Sequence, residues 1–338
     1  MKAYVIGAQT GLSSLRLVDK PDPVPAMGEA IVAPRTVCLG HRDLNIVSGT
    51  YGARRPDDRV PLSEGVGEVV ALGEGASGVA VGDRVICAHF ANWIDGAFSP
   101  AYFGFDLGVT RDGWLAERVA VPAAALIKVP EAMSDAQAAS LVASGVTAWN
   151  AVVELGCVKA GDTVLTLGTG GVSIAALQIA KAAGARVAIT SSSDDKLAKA
   201  RELGADIGIN YRTTPDWAAA LMTATGGAGA DIVVETGGFA TLSQSIAAAA
   251  PNGRIAIIGA LAGNAADGLP NYGTIIGKNL LIGGIASGSR AMLLSLVRAA
   301  QANGIVPVVD RSFAFNDAPA AYAYLDSAAH MGKVVINL

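Results

Sequence analysis

Short apolar runs broken by Gly, Pro and Asp fill the first third of the chain, a texture that predicts strands rather than helices. The opening segment from Met1 to Gly7 reads as a strand. Val60-Pro61-Leu62 leads into an apolar run from Gly65 to Gly73, and Val81 to Val85 begins another strand whose Gly82-Asp83 supplies a tight turn. Strands of this kind curl into a small barrel.

After about Ala123 the pattern changes. From Thr163 onward, β-type apolar runs alternate with helical stretches: a strand at Thr163 to Leu167, an apolar helix at Val172 to Ala183, a strand at Arg186 to Thr190, and a charged amphipathic helix at Asp195 to Leu203. Further strands follow at Asp231 to Glu235, Arg254 to Ile258 and Leu280 to Ile285. Such alternation predicts a parallel, doubly wound sheet. The tail returns with a strand near Arg311 to Phe315, a helix capped around Asn316 or Asp317, and a last strand at Lys333 to Ile336.

Composition adds two constraints. At 338 residues the chain exceeds one ordinary core and suggests two domains. Hydrophobic residues reach 51% against 16% charged, and the mean hydropathy is +0.43, values that would also suit a membrane protein. The longest uncharged apolar stretch, near Ile255 to Ala266, falls well short of the roughly 20 residues a span needs, so no membrane is expected. The net charge is −4 and the basic residues form no cluster, which argues against a nucleic-acid partner. The N-terminus lacks the features of a secretion signal, and three scattered cysteines make no disulfide framework, so a cytoplasmic location is expected.

The chemistry centres on Gly168-Thr169-Gly170-Gly171-Val172-Ser173, placed where a strand ends and a helix begins. The first glycine permits the tight turn and the second lets the backbone approach a pyrophosphate, which the helix N-terminus then holds. Ser173 stands where a third glycine or alanine is usual. A lone G-x-G is weak, but the strand–turn–helix–strand context favours a dinucleotide over a plain turn. About 20 residues further on, a ribose-binding acid is expected for NAD. Here the chain has Thr190, Ser191, Ser192 and Ser193, with Lys196 one turn into the next helix. Hydroxyls plus a lysine suit a 2′-phosphate, so NADPH is expected over NADH, and Asp194 and Asp195 are read as partners of the helix N-terminus.

With these motifs in view, the chain resembles the medium-chain dehydrogenase/reductase superfamily along essentially its whole length. The segments that carry the resemblance are Gly65 to Gly73 with Gly82 to Val85, the Gly168 turn, Lys196 through Arg201 to Asp206, Pro251 to Arg254, and Gly332 to Ile336. It implies an α/β fold: a GroES-like β-barrel catalytic domain over residues 1–122, completed by 288–338, and a Rossmann cofactor domain over 123–287, with a cleft between them. It also implies that Gly259, Ala260, Ile285, Ala286 and Ser287 meet the nicotinamide, with Thr147 beside the ring. Tyr211 and Lys333 complete the expected cofactor set, and a homodimer through the edge strand at Leu280 to Ile285 is implied.

The zinc-dependent alcohol dehydrogenases of this superfamily hold a catalytic zinc. Alignment on Asp43 puts Gly40, Ser63 and Ala143 at the ligand positions, beside a retained Glu64, and no zinc is expected. Cys38, His41, Cys87 and His89 form an alternative metal set, against which stands the common occurrence of small buried thiols. The nearer resemblance is to the zinc-independent quinone oxidoreductases and enone reductases, which often carry Asn-Tyr/Phe-Arg-Asp where this chain has Gly40-His41-Arg42-Asp43.

The expected reaction is hydride transfer from NADPH to a quinone, enone or related carbonyl compound, with a preorganised donor for the developing oxyanion. His41, Arg42 and Tyr51 are the candidates. Each has a bland alternative: a phosphate contact or loop residue for His41, an ion pair with Asp43 or Glu64 for Arg42, and packing for Tyr51. Trp93 and Phe98 are candidates for an apolar pocket wall. Pocket shape is assigned to loops around Ile46 to Arg55, Phe90 to Asp112 and residues 263–273. Alcohol–aldehyde interconversion is the second reading, and a non-catalytic NADPH-binding protein the third.

Overall fold

Six parallel strands order themselves by the βαβ alternation that the sequence displays. The computed structural model describes residues 1–261 and 270–338. Two compact units are present: Met1–Val146 with Gly288–Arg298 and Pro307–Leu338, and Thr147–Ser287 with Ala299–Val306. The first unit runs on to Val146, past the expected break at residue 122. Strand Leu126–Lys128 pairs antiparallel with Arg84–Cys87, and helix Asp135–Ser140 packs on strands Glu29–Leu39 and Glu64–Leu72, so this segment belongs to the first core.

The second unit is a parallel sheet in the order Ile207–Asn210, Arg186–Ser191, Thr163–Thr166, Ala230–Glu235, Ala249–Ile257, Leu281–Gly284. The chain starts at Thr163–Thr166, steps one way for two crossovers, then returns to add strands on the other side. That reversal creates a switch point between Thr163–Thr166 and Ala230–Glu235, where ligands bind at the carboxyl ends of the strands. Val164, Leu165, Val187, Ala188, Val233 and Ile255 are wholly buried, as both faces of such a sheet must be.

The first unit carries a seven-stranded sheet running Val309–Ala314, Lys333–Asn337, Glu29–Leu39, Glu64–Leu72, Arg84–Cys87 and Leu126–Lys128, with Val119–Pro122 also paired to Glu29–Leu39. The tail strand enters antiparallel beside Glu29–Leu39, with Val334 opposite Leu39. Pro34 falls at a register shift of the long strand, where its missing N–H breaks no ladder bond. Trp114, Leu115 and Tyr322 are among the largest side chains sealed in this core.

One apolar run is longer than the Ile255 to Ala266 stretch, part of which (262–266) lies outside the described residues. Asp135–Leu155 is long and apolar enough to cross a membrane by length and composition, and 72% of its window is buried inside the protein. Its π-helical segments at Leu141–Gly145 and Asn150–Leu155 depart from regular helix geometry.

Candidate functional site

The glycine turn is built as its sequence requires. Gly168 takes φ +74°, a conformation costly for any side chain. A Cβ placed on Gly168 or on Gly170 would meet nothing within 4 Å, so the space over both is open for a ligand. Gly170 caps helix Gly171–Ala182 with no side chain satisfying the first N–H groups, which leaves them and the helix dipole for an anion. Ser173 is buried and donates its hydroxyl to Leu167 O at 2.6 Å, and Thr236 donates to the same oxygen at 3.0 Å. The residue that departs from the usual third glycine thus ties the helix to the turn.

At the end of the neighbouring strand, Thr190 Oγ1 accepts from the Gly168 N–H, and Ser191 Oγ accepts from the Ser193 N–H. Ser193 caps helix Asp194–Glu202, its Oγ accepting from the Lys196 backbone N–H. Asp194 is engaged by Asn210 Nδ2 at 2.9 Å. Tyr211 donates its backbone N–H to Ser191 O, and its ring is largely exposed. The structure therefore brings Gly168, Ser191, Ser192, Lys196 and Tyr211 to one end of the sheet.

Glu235 is a buried organiser that sequence reasoning missed. Ending its strand, it accepts from the N–H groups of Gly237 at 2.7 Å and Gly238 at 3.0 Å and from the hydroxyls of Thr241 and Ser245. This fixes the turn beside Gly259 and Ala260, where a Cβ on Gly238 would lie 2.7 Å from Ala260 Cα. Beyond the next strand, Thr147 Oγ1 donates to Ser287 Oγ at 3.2 Å, both residues buried. Ser287 holds φ +128°, a strained value for a non-glycine residue. The Ile285 N–H bonds Ile257 O, continuing the parallel ladder towards Ala286.

Within the first unit, Arg42 Nη2 donates to both oxygens of buried Asp106 at 2.9 Å, and Nη1 sits 2.9 Å from His89 Nδ1. The expected pairing of Arg42 with Asp43 or Glu64 is thereby corrected to Asp106. Burial opposes the Arg42 charge, but Asp106 and then Tyr51 and Asp43 outweigh it, so its pKa is raised. His89 Nδ1 also lies 2.9 Å from Asp106 Oδ1. It cannot both accept from Arg42 and donate to Asp106, and burial and Arg42 lower its pKa, which keeps the ring neutral.

Tyr51 lies with the Arg42 guanidinium 5.2 Å and the Arg55 guanidinium 6.0 Å from its ring centre. Its hydroxyl makes no hydrogen bond to the protein among the described residues. Tyr51 lines a cavity of about 620 Å³ together with Arg54, Arg55, Arg59, Phe103 and Asp106. The first two loops assigned to pocket shape supply most of this lining, with Pro56 and Arg59 lying beyond them; of the third, residues 262–269 lie outside the described ones. Trp93 and Phe98 join Phe90, Tyr102 and Phe103 in one aromatic cluster, with Trp93 stacked on Tyr102. His41, by contrast, begins helix His41–Val47 and is exposed. Partial burial lowers its pKa against the pull of Asp326 on the tail helix, and it is not among the residues lining the cavity.

Lys333, expected in the cofactor set, lies in a buried ion pair. Its ammonium donates to Leu39 O at 2.7 Å, Glu64 Oε1 at 2.7 Å and Ser144 Oγ at 3.1 Å. All three N–H bonds are taken, in a site only 4% exposed. The three positions that the resemblance gives to zinc ligands cluster near the same Glu64. A Cβ on Gly40 would lie 3.3 Å from Glu64 Oε1, the Ala143 N–H bonds Oε2 at 3.3 Å, and the adjoining Ser63 hydroxyl is buried without a partner. These residues do not fit zinc: they supply no imidazole or thiolate, and a lysine neutralises the glutamate. In the alternative set, Cys38 contacts Ser140 and Cys87 bonds Ala88 O; both thiols are pushed up to about 12 by burial. Among the described residues no group of three or more His, Cys, Asp or Glu is placed to hold a metal.

Comparison with known proteins gives two domain matches: an alcohol dehydrogenase GroES-like domain over residues 26–131 and a zinc-binding dehydrogenase domain over residues 171–302. A zinc-type alcohol dehydrogenase-like protein of Schizosaccharomyces pombe is 42% identical over 92% of this chain and 91% of its own. Among solved structures, an NAD-dependent alcohol dehydrogenase superposes with TM-score 0.91 at 34% identity, covering 100% of both chains. A mycobacterial protein complexed with NADPH superposes at 0.84 with 27% identity, again over 100% of both.

Proposed function

The chain belongs to the medium-chain dehydrogenase/reductase superfamily, pairing a GroES-like domain with a Rossmann domain as an NAD(P)H-dependent oxidoreductase, and from that premise we propose that it reduces a quinone, enone or related carbonyl compound with NADPH and without catalytic zinc. The observation that carries this reading is Tyr51, which lines a cavity and whose hydroxyl has no protein partner among the described residues. When bound, the dinucleotide supplies hydride. The chain's part is to place the pyrophosphate over Gly168 and Gly170, to order the turn through Glu235, and to give a proton to the substrate oxygen from Tyr51. Arg42, paired with Asp106, holds its charge against the Tyr51 ring, and so acts by positioning.

NADPH is favoured over NADH because the second strand ends in Ser191 and Ser192, and the first carboxylate to follow, Asp194, is engaged by Asn210. Lys196, half-buried one turn into the helix, is assigned to the 2′-phosphate. Titration with both cofactors tests this: Lys196→Ala weakens NADPH at least tenfold more than NADH, and equal losses would remove the assignment. Tyr51→Phe is expected to slow carbonyl reduction by about 10²-fold, the lower end of general-acid effects. Unchanged turnover would take that role from Tyr51.

Among the described residues, edge strand Leu281–Gly284 leaves a ladder face unpaired, with Leu281, Ile276 and Tyr272 exposed nearby. A homodimer joined there covers both. The unpaired thiols of Cys38, Cys87 and Cys157 suit a reducing cytoplasm.

A further inference from the structure

Three arginines line the Tyr51 cavity and a fourth, Arg42, packs on the Tyr51 ring, and their charges are not equally balanced. Arg42 is neutralised by Asp106. Arg54 pairs with Asp57 at 2.7 Å and Arg59 with Asp112 at 2.8 Å. Asp106, the acid on the cavity wall, has both oxygens occupied by Arg42 and one also facing His89. Among the described residues, Arg55 alone of the four has no carboxylate within ion-pair distance. Among the described residues its guanidinium makes one hydrogen bond, from Nη2 to Tyr51 O at 2.8 Å, and its Nε is buried with no acceptor.

Arg55 is nevertheless held in place. Gln9, 6% exposed, clamps its backbone from both sides: Nε2 donates to Arg55 O at 2.7 Å and Oε1 accepts from the Arg55 N–H at 3.0 Å. The Tyr51 ring lies under the guanidinium. Burial lowers its pKa, with the Arg42 and Arg59 charges acting the same way against the pull of Asp106 and Tyr51; a guanidinium still stays charged at neutral pH. A fixed, charged fork with unused donors, half-buried in a cavity, costs desolvation unless an anion completes it.

We infer that this cavity selects substrates bearing a single carboxylate, which Arg55 holds while Tyr51 addresses the carbonyl oxygen a few bonds away. The inference rests on the reductase reading above and narrows its substrate class to short oxo-acids. One uncompensated guanidinium matches one negative charge. A phosphate dianion would leave a charge unmatched, and a neutral quinone or enone would leave Arg55 without an acceptor. Arginine rather than lysine suits the role, since its fork meets a carboxylate in two parallel bonds.

The test uses 4-oxopent-2-enoate and its methyl ester, the same enone with and without the charge. The native enzyme is expected to prefer the acid by tenfold or more in kcat/KM, mainly through KM. Arg55→Leu should lower kcat/KM for the acid at least tenfold more than for the ester, and Arg55→Lys should restore part of the difference. Equal use of acid and ester by the native enzyme, or a preference that survives Arg55→Leu in a folded protein, would overturn the inference. Calorimetric titration of the acid into the native enzyme and Arg55→Leu reads the same site without turnover. Acid binding that needs Arg55, with neither compound reduced, would refute the reductase reading and keep the carboxylate site. Reduction of other carbonyl compounds, with acid binding indifferent to Arg55→Leu, would refute the site and keep the reductase.

Discussion

Replacing Lys333 with methionine tests the buried pair that stands beside Gly40, Ser63 and Ala143. The ammonium and Glu64 are 4% and 2% exposed and 2.7 Å apart. Without the ammonium, Glu64 keeps, among the described residues, only the long bonds from the Ala143 and Ser144 N–H groups, at 3.3 and 3.5 Å. Leu39 O and Ser144 Oγ each lose the donor they had from Lys333. Breaking one side of such a pair typically costs about 3–5 kcal/mol, a large share of the roughly 5–15 kcal/mol that holds a domain together. Adding Glu64→Gln removes the stranded charge at similar volume. The double variant is therefore expected to recover at least about 2 kcal/mol relative to Lys333→Met alone, a non-additivity that touching residues show. Urea unfolding of the native protein, both single variants and the double variant measures this coupling by linear extrapolation. Strictly additive effects would show that the ammonium and carboxylate do not depend on one another, and would refute the reasoning.

Asp43 predicts a pH dependence of opposite sense to most carboxylates. Burial, with smaller opposing pulls from Arg42 and the Gly40 N–H, raises its pKa to about 6. A raised carboxyl pKa contributes stability that is complete below the unfolded value and lost as pH rises through about 6. Between pH 5 and pH 8 that loss is about 1.4 kcal/mol for this group. Asp43→Asn keeps an acceptor for the Gly40 N–H and should remove this part of the slope; a slope unaltered by the substitution would contradict the assignment. For the edge-strand dimer, sedimentation of the native protein should give twice the chain mass, and Leu281→Lys should shift it to monomer; a native monomer at micromolar concentration refutes it.

Much of the cofactor unit is legible in the sequence because its signals are local. A β-run, a glycine that must take positive φ, and an apolar helix follow one another within Thr163 to Ala182, and the later strands fall within a few residues of their expected places. The apolar excess is explained by a sheet buried on both faces. The groups of the catalytic unit are not local. Arg42 finds Asp106 and His89 across 64 and 47 residues, and Lys333 finds Glu64 across 269. Only the register of the tail strand against Glu29–Leu39 brings the last pair together, and no periodicity encodes it. Glu235 passed unnoticed because a strand-end acid is ordinary until four donors are seen to converge on it. The Ser, Gly and Asn residues within Asp135–Leu155 interrupt its apolar pattern and mask its length, and only its first part, to Val146, belongs to the first unit.

The central claim, that this chain moves hydride from NADPH to a carbonyl compound, is tested most directly by isotope transfer. The enzyme is supplied with NADPH deuterated at both C4 positions and an enone, and the saturated product is analysed by mass spectrometry. The account predicts one deuterium per product molecule on carbon, the second hydrogen coming from water, with Tyr51→Phe slowing the reaction but leaving the label count unchanged. Tight NADPH binding with no deuterium in any product, across enones, aldehydes and their carboxylate-bearing analogues, would contradict it.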